Sequence, residues 1–219
     1  MNAKDTIFFN IDTQKDFLNS DGALYVKDAE LIKPELLRLT EIADQNNIKV
    51  INTADFHTDQ SKEISETPDF VNTFPKHCMI GSDGTVFIEE TIPFATDSYI
   101  IHYTDSKIDE KQFNFARNII IFKDAFDVFA GNKLTDDALV LIQKDIIVEN
   151  IVVYGVATNI CVAFAIDGLL KRKFKVFLVM DAIKGLPGSS LEDLYVKWLD
   201  QGVILTTTKQ IEKMICLNG

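Results

Sequence analysis

Asp12, Asp55, His57, Lys123 and Cys161 are the residues of this chain whose types and positions could do chemistry. Asp12 follows the apolar run "TIFFNI". Asp55 and His57 follow "KVINTA", Lys123 follows "NIIIF", and Cys161 closes "VATNIC" after "NIVVYG". A thiolate is the reactive form of cysteine, and a neighbouring lysine or a helix N-terminus lowers the thiol pKa. A carboxylate can accept the thiol proton. One aspartate, one lysine and one cysteine therefore fit a single nucleophilic mechanism. Each also has an ordinary use: Asp12 capping a turn after a strand, Lys123 in solvent, Cys161 as a small buried hydrophobe.

Such residues need elements that carry them to one edge. Short Ile-, Val- and Phe-rich runs recur along the chain, also at "SYIIHY", "KVFLVM" and "GVILTTT". Unbroken runs of this length read as strands buried on both faces. Helix-period segments lie between several of them. Residues 28–47 place Leu31, Leu36, Leu39 and Ile42 at helical spacing, with Pro34 suited to a first turn near Lys33. "TDDALVLIQKDI" opens with Thr135 as an expected N-cap, and "SSLEDLYVKWLDQG" opens with a serine cap and closes on Gly202. The alternation predicts an α/β fold: a three-layer α/β/α sandwich with an open, mainly parallel sheet of about six strands. Residues 1–219 read as one domain. In such sheets ligands bind beyond the carboxyl ends of the strands, where all five residues lie. From about Phe56 to Asp97 turn signals replace the rhythm, as expected of a lid or pocket wall.

The formal net charge of -11 argues against nucleic acid or anionic membrane as a partner. A small molecule remains the natural partner, and a homo-oligomer stays open. The three cysteines, Cys78, Cys161 and Cys216, are too few and odd for a disulfide framework. With no signal-peptide pattern at the start and no bilayer-length apolar stretch, a cytoplasmic protein is expected.

The combination of "FNIDTQKDFL", "DFH", "FPKHCMIGSDG", the lysine after a strand and "GVATNICV" resembles the isochorismatase-like cysteine hydrolases, and among them most of all the nicotinamidases. The resemblance spans roughly Phe8 to Asp181. It implies a catalytic triad of Asp12, Lys123 and Cys161 acting through a thioester. It implies a cis Val156–Ala157 peptide, with the backbone N–H groups of Ala157 and Cys161 as the oxyanion hole. Phe17 and Phe74 would lie against a planar small-molecule amide. Asp55, His57 and His77 match metal ligands, and Glu63 stands where some nicotinamidases place a further histidine; Glu66 is its competitor. That donor set suits Zn²⁺, with Mn²⁺ or Fe²⁺ compatible. His102, inside a strand-like run, reads as structural.

Departures from the nicotinamidase pattern bear on the substrate. "DAFDVFAGNKL" after Lys123 is unlike a close nicotinamidase, residues from about Ser98 to Asn118 resemble an insertion, and Phe74 stands where many members have tryptophan. The alternatives are a metal-independent hydrolase of another small amide or carbamoyl compound, and a non-catalytic small-molecule-binding protein on the same fold.

Overall fold

The computed structural model describes residues 1–187 and 191–216. Seven strands form one sheet: β1 (Thr6–Ile11), β2 (Lys49–Asp55), β3 (Ser98–Ile101), β4 (Asn118–Lys123), β5 (Asn150–Val156), β6 (Lys175–Lys184) and β7 (Ile204–Thr206). They lie in the order β3-β4-β2-β1-β5-β6-β7 and every pairing is parallel. The count exceeds the expected six or so because both edges are closed by very short strands, a common protection against edge-to-edge pairing.

Eight helices complete the described chain: α1 (Lys15–Leu18), α2 (Lys33–Gln45), α3 (Glu110–Phe115), α4 (Val128–Gly131), α5 (Thr135–Asp145), α6 (Cys161–Lys171), α7 (Leu191–Asp200) and α8 (Thr208–Cys216). Strand alternation sorts the core into two layers. Ile7, Phe9 and Ile11 of β1, with Ile151 and Val153 of β5, pack on the side of α3 to α7. Phe8, Val152 and Tyr154 pack on the other side, under Leu36, Leu39 and Ile42 of α2 and Ile211 and Ile215 of α8. No described helix is long and apolar enough to cross a membrane.

Two local expectations meet corrections. Helix α2 does begin at Lys33 with Pro34 in its first turn, but Leu31 belongs to a preceding 3-10 turn (Ala29–Ile32) and is exposed. Thr135 is the first residue of α5 and not its cap, because its hydroxyl donates to the carbonyls of Val128 and Asn132. The Asn132 side chain accepts from the Leu134 N–H instead. The expected serine cap before α7 lies outside the described residues, whereas Gly202 takes the left-handed φ of +89° that ends that helix. Between β2 and β3 the chain is irregular, as expected, with two 3-10 turns and the isolated bridges His57–Met79 and Ile64–Phe74.

Gly155 is the tightest point of the sheet centre. It has φ +115° and sits where the β5–β6 register shifts, with its α-carbon against the Ile11 carbonyl. A β-carbon there would meet that carbonyl in a backbone conformation disfavoured for L-residues. Gly155→Ala is expected to cost at least about 2 kcal/mol in urea unfolding; an unchanged midpoint would contradict this reading.

Candidate active site

Four neighbouring strands, β4, β2, β1 and β5, end side by side. Lys123 closes β4 directly beside Asp55 at the end of β2, their registered partner. Asp12 follows β1 and Cys161 opens α6 after β5. All four are buried, Lys123 to 1% exposure. The Lys123 Nζ lies 2.9 Å from Asp12 Oδ2 and 3.7 Å from Cys161 Sγ, and it also donates to Asp55 Oδ1. The structure thus brings together Asp12, Lys123 and Cys161. It adds Asp55 to the same ammonium, which the sequence pattern had placed only among metal ligands.

The charges are strongly coupled. For Lys123, burial would favour the neutral amine, but Asp12 and Asp55 hold its pKa well above the ordinary range. For Asp55, burial pushes upward, yet Lys123 and the two histidines hold the carboxyl well below its ordinary value. Asp12 ends raised, because burial outweighs Lys123 and Asp55 adds repulsion. Burial also pushes the Cys161 thiol well up; Lys123 pulls it down, while Asp12 and Asp55 oppose that pull. The pull of Lys123 on the thiol, expected from the sequence, is present but outweighed by burial and opposed by the two carboxylates. One ammonium shared by two carboxylates leaves no surplus positive charge for a thiolate, so Cys161 rests as a thiol hydrogen-bonded to Asp12.

The turn before Cys161 is built from backbone. The Val156–Ala157 peptide is cis. The Ala157 carbonyl accepts from the Ile160 and Val162 N–H groups, and the Thr158 N–H donates to Lys184 O. Asn159 braces the turn through reciprocal bonds with the Leu186 backbone. The N–H groups of Ala157 and Cys161 make no hydrogen bond among the described residues. Both residues line the pocket, at the positive end of α6.

Asp55, His57 and His77 form a second constellation, with one ligand atom from each lying within 4.8 Å of the others. The Pro75 carbonyl, an acceptor, lies 2.7 Å from His77 Nδ1, so that nitrogen carries the hydrogen. Burial would favour the neutral imidazole, but Asp55, whose Oδ2 lies 3.7 Å from His77 Nε2, raises the His77 pKa overall; without a proton there, Nε2 is an acceptor facing a carboxylate oxygen. Two acceptors facing each other call for a proton or a cation between them. His57, fully buried, has no hydrogen-bond partner for either ring nitrogen and lies 3.7 Å from the same carboxylate oxygen. This donor set fits a divalent transition ion.

The supporting layer is polar and long-range. Gln14 accepts from the Asp55 N–H through Oε1 at 2.7 Å and donates to the Asp55 carbonyl at 2.8 Å. The Cys78 carbonyl accepts from the His57 N–H at 3.0 Å, and the Cys78 N–H donates to Asp16 Oδ2 at 2.6 Å. Cys216 is exposed and distant in role. Glu63 lies outside the three-residue group but is 9% exposed, with Oε1 accepting from the Phe126 N–H and Oε2 buried without a partner. Burial pushes its carboxyl up to about 7, against the Phe126 N–H and Lys123. Glu66 is exposed and paired with Lys76. His102 packs on Phe122, 4.9 Å between ring centroids, away from the cluster.

Cys161, Asp55 and His77 open onto a narrow pocket walled by Phe17, Leu24, Val26, Phe74, Phe126, Ile160 and Leu186. Phe17 contacts His77 at 5.4 Å and Phe74 meets Phe126 edge-on at 5.6 Å between centroids. Phe17 and Phe74 are thus joined by an aliphatic and aromatic wall that sequence reasoning missed. Only Phe126 had a signal, since it falls where the chain departs from the nicotinamidase pattern.

Comparison with known proteins now places this geometry. An isochorismatase domain matches residues 104–210. The nicotinamidase/pyrazinamidase of Mycobacterium tuberculosis (strain ATCC 25618 / H37Rv) is 34% identical over 77 residues, 35% of this chain and 40% of that relative. The chain therefore spans well under two thirds of the curated relative it matches. Crystal structures of N-carbamoylsarcosine amidase from Thermoplasma acidophilum (19% identity, TM-score 0.69, covering 95% of this chain and 97% of that one) and of Pyrococcus horikoshii pyrazinamidase in complex with zinc (21%, 0.68, 93% and 99%) are similar throughout. The chain has the isochorismatase-like hydrolase fold.

The Glu63 environment makes a stability prediction. A carboxyl whose folded pKa is raised to about 7 contributes stability that is present below its unfolded pKa and is lost as pH rises through 7. Chelator-treated protein should lose about 2 kcal/mol more between pH 5 and pH 8 than Glu63→Gln does. Parallel pH–stability curves for the two proteins would refute it.

Proposed function

We propose that this isochorismatase-like hydrolase is a metal-assisted cysteine amidohydrolase that converts nicotinamide and water to nicotinic acid and ammonia, with residues 1–219 as its single domain. The observation that carries the reading is the Lys123 ammonium, held 2.9 Å from Asp12 and 3.7 Å from the Cys161 sulfur at the wall of an apolar pocket. Burying an ammonium, two carboxylates and a thiol together is costly. A protein that only bound an apolar molecule would gain nothing from them.

In this reading Cys161 Sγ attacks the amide carbon while its proton passes to Asp12 Oδ2. The carbonyl oxygen becomes an oxyanion and receives the free N–H groups of Ala157 and Cys161, preorganised donors of the kind that dominate acyl-transfer catalysis. Asp12 returns the proton to the leaving nitrogen, ammonia departs, and a thioester remains. Water attacks the thioester, giving its proton to Asp12; the acid leaves and the thiol is restored. Lys123 favours the ionised carboxylate of Asp12 against burial and offsets the transient charge.

Asp55, His57 and His77, with Glu63 as a further oxygen donor, would hold a divalent ion, zinc by preference and manganese or iron by compatibility. That ion would supply a Lewis-acidic point of attachment for a ring nitrogen; the zinc complex of the Pyrococcus relative supports the assignment. The pocket wall selects the substrate class. Among its described lining residues there is no arginine or lysine, and Asp55 contributes negative charge. A carbamoyl substrate bearing its own carboxylate would find no counter-ion there, whereas a neutral flat ring would lie between Phe17, Phe74 and Phe126.

Cys161→Ala is expected to lower ammonia release from nicotinamide by about 10³-fold or more. If the variant keeps native turnover, the mechanism is wrong. Protein purified without chelator should carry a transition metal by elemental analysis, and its removal should raise KM for nicotinamide. Preference for an N-carbamoyl amino acid over nicotinamide would overturn the substrate assignment.

A further inference from the structure

We infer that Thr53 is a positioning residue that fixes which oxygen of Asp12 meets the thiol. Thr53 lies in β2, fully buried, registered beside Ile11 of β1. Its hydroxyl donates to Asp12 Oδ1 at 2.6 Å. The same hydroxyl oxygen accepts from the Asp12 N–H at 3.2 Å, and the Thr53 carbonyl accepts from that N–H at the same distance. A hydroxyl has one hydrogen. With the Asp12 N–H pointing at its oxygen, the Thr53 hydrogen goes to Oδ1, and the donor direction is set.

The consequence falls on the other oxygen. Asp12 Oδ2 lies 2.9 Å from the Lys123 Nζ, and Asp12 and Cys161 lie in one group whose ligand atoms are within 4.8 Å of one another. Asp12 itself sits at φ +47°, just past the end of β1, with its N–H held by Thr53 of β2. Thr53 is thus the clamp that stops the carboxylate from turning and presents Oδ2 alone to Cys161. A β-branched side chain, stiff about χ1, suits that task. Thr53 lines neither the pocket nor the thiol, so it acts through Asp12.

This inference rests on the amidohydrolase reading, and the test separates the two. Thr53→Val keeps shape and branching and removes the hydroxyl; Thr53→Ser keeps the hydroxyl. Thr53→Ala removes the hydroxyl without added bulk and serves if valine blocks folding. Expected for Val or Ala is a fall in kcat for nicotinamide of about 10- to 100-fold with KM within about twofold, the range for leaving a buried charged acceptor unsatisfied. Thr53→Ser should restore kcat to within about threefold of native. Unchanged kcat in Val and Ala, a fall carried by KM, or a serine variant as slow as valine would each overturn the role of Thr53 while leaving the functional reading intact. A native protein that releases no ammonia from nicotinamide or any other small amide would overturn both.

Discussion

The Lys123 ammonium, buried between the carboxylates of Asp12 and Asp55, is the constraint on which the site depends. An isolated ion in that position would be neutralised or expelled. Two carboxylates make the ammonium stable, and the ammonium in turn makes each carboxylate tolerable. Removing any one leaves an uncompensated buried charge, the case in which ion pairs become strongly destabilising. The neighbouring thiol, the Asp55–His57–His77 cluster and the sheet ends are therefore tied to one balance of charge. Asp55 links the two halves: one oxygen serves Lys123 and the other faces His57 and His77.

Sheet architecture supplies the geometry. Parallel strands all end on the same edge, so four adjacent strands deliver four side chains without any loop having to reach. The loops do a different task. The irregular chain between β2 and β3 brings His57, Glu63, Phe74 and His77 around the carboxylate of Asp55, and its bond from Glu63 to the Phe126 N–H joins it to the segment after β4. The Asp55 cluster and the aromatic wall are thus one connected unit.

Much of this was legible in the chain because its signals are local. Apolar runs mark strands, and the residue after each run marks a strand end, which is why Asp12, Asp55, Lys123 and Cys161 could be singled out. Phe17, Phe74 and His77 were legible only through the combination of motifs. What escaped has no local pattern. Thr53 to Asp12 and Gln14 to Asp55 each join residues 41 positions apart, and neither threonine nor glutamine carries a signal in a strand or turn. Leu24, Val26 and Leu186 look like any aliphatic residue until the fold puts them around the thiol. Thr135 failed as a cap because its hydroxyl was claimed as a donor by carbonyls of the preceding turn, a competition that sequence spacing does not display.

The strand order has a consequence for how the chain reaches this state. β1 is central, yet it pairs on one side with β2 and on the other with β5, residues 6–11 against 150–155. Asp12 and Cys161 meet only across that second pairing, which closes a loop of well over half the chain, and such distant contacts are slow to form. No early, locally folded fragment can hold Asp12, Lys123 and Cys161 together. Recovery of reactivity at Cys161 after dilution from denaturant is thus a clock for the last stage of assembly, while helix signals, being local, report the first.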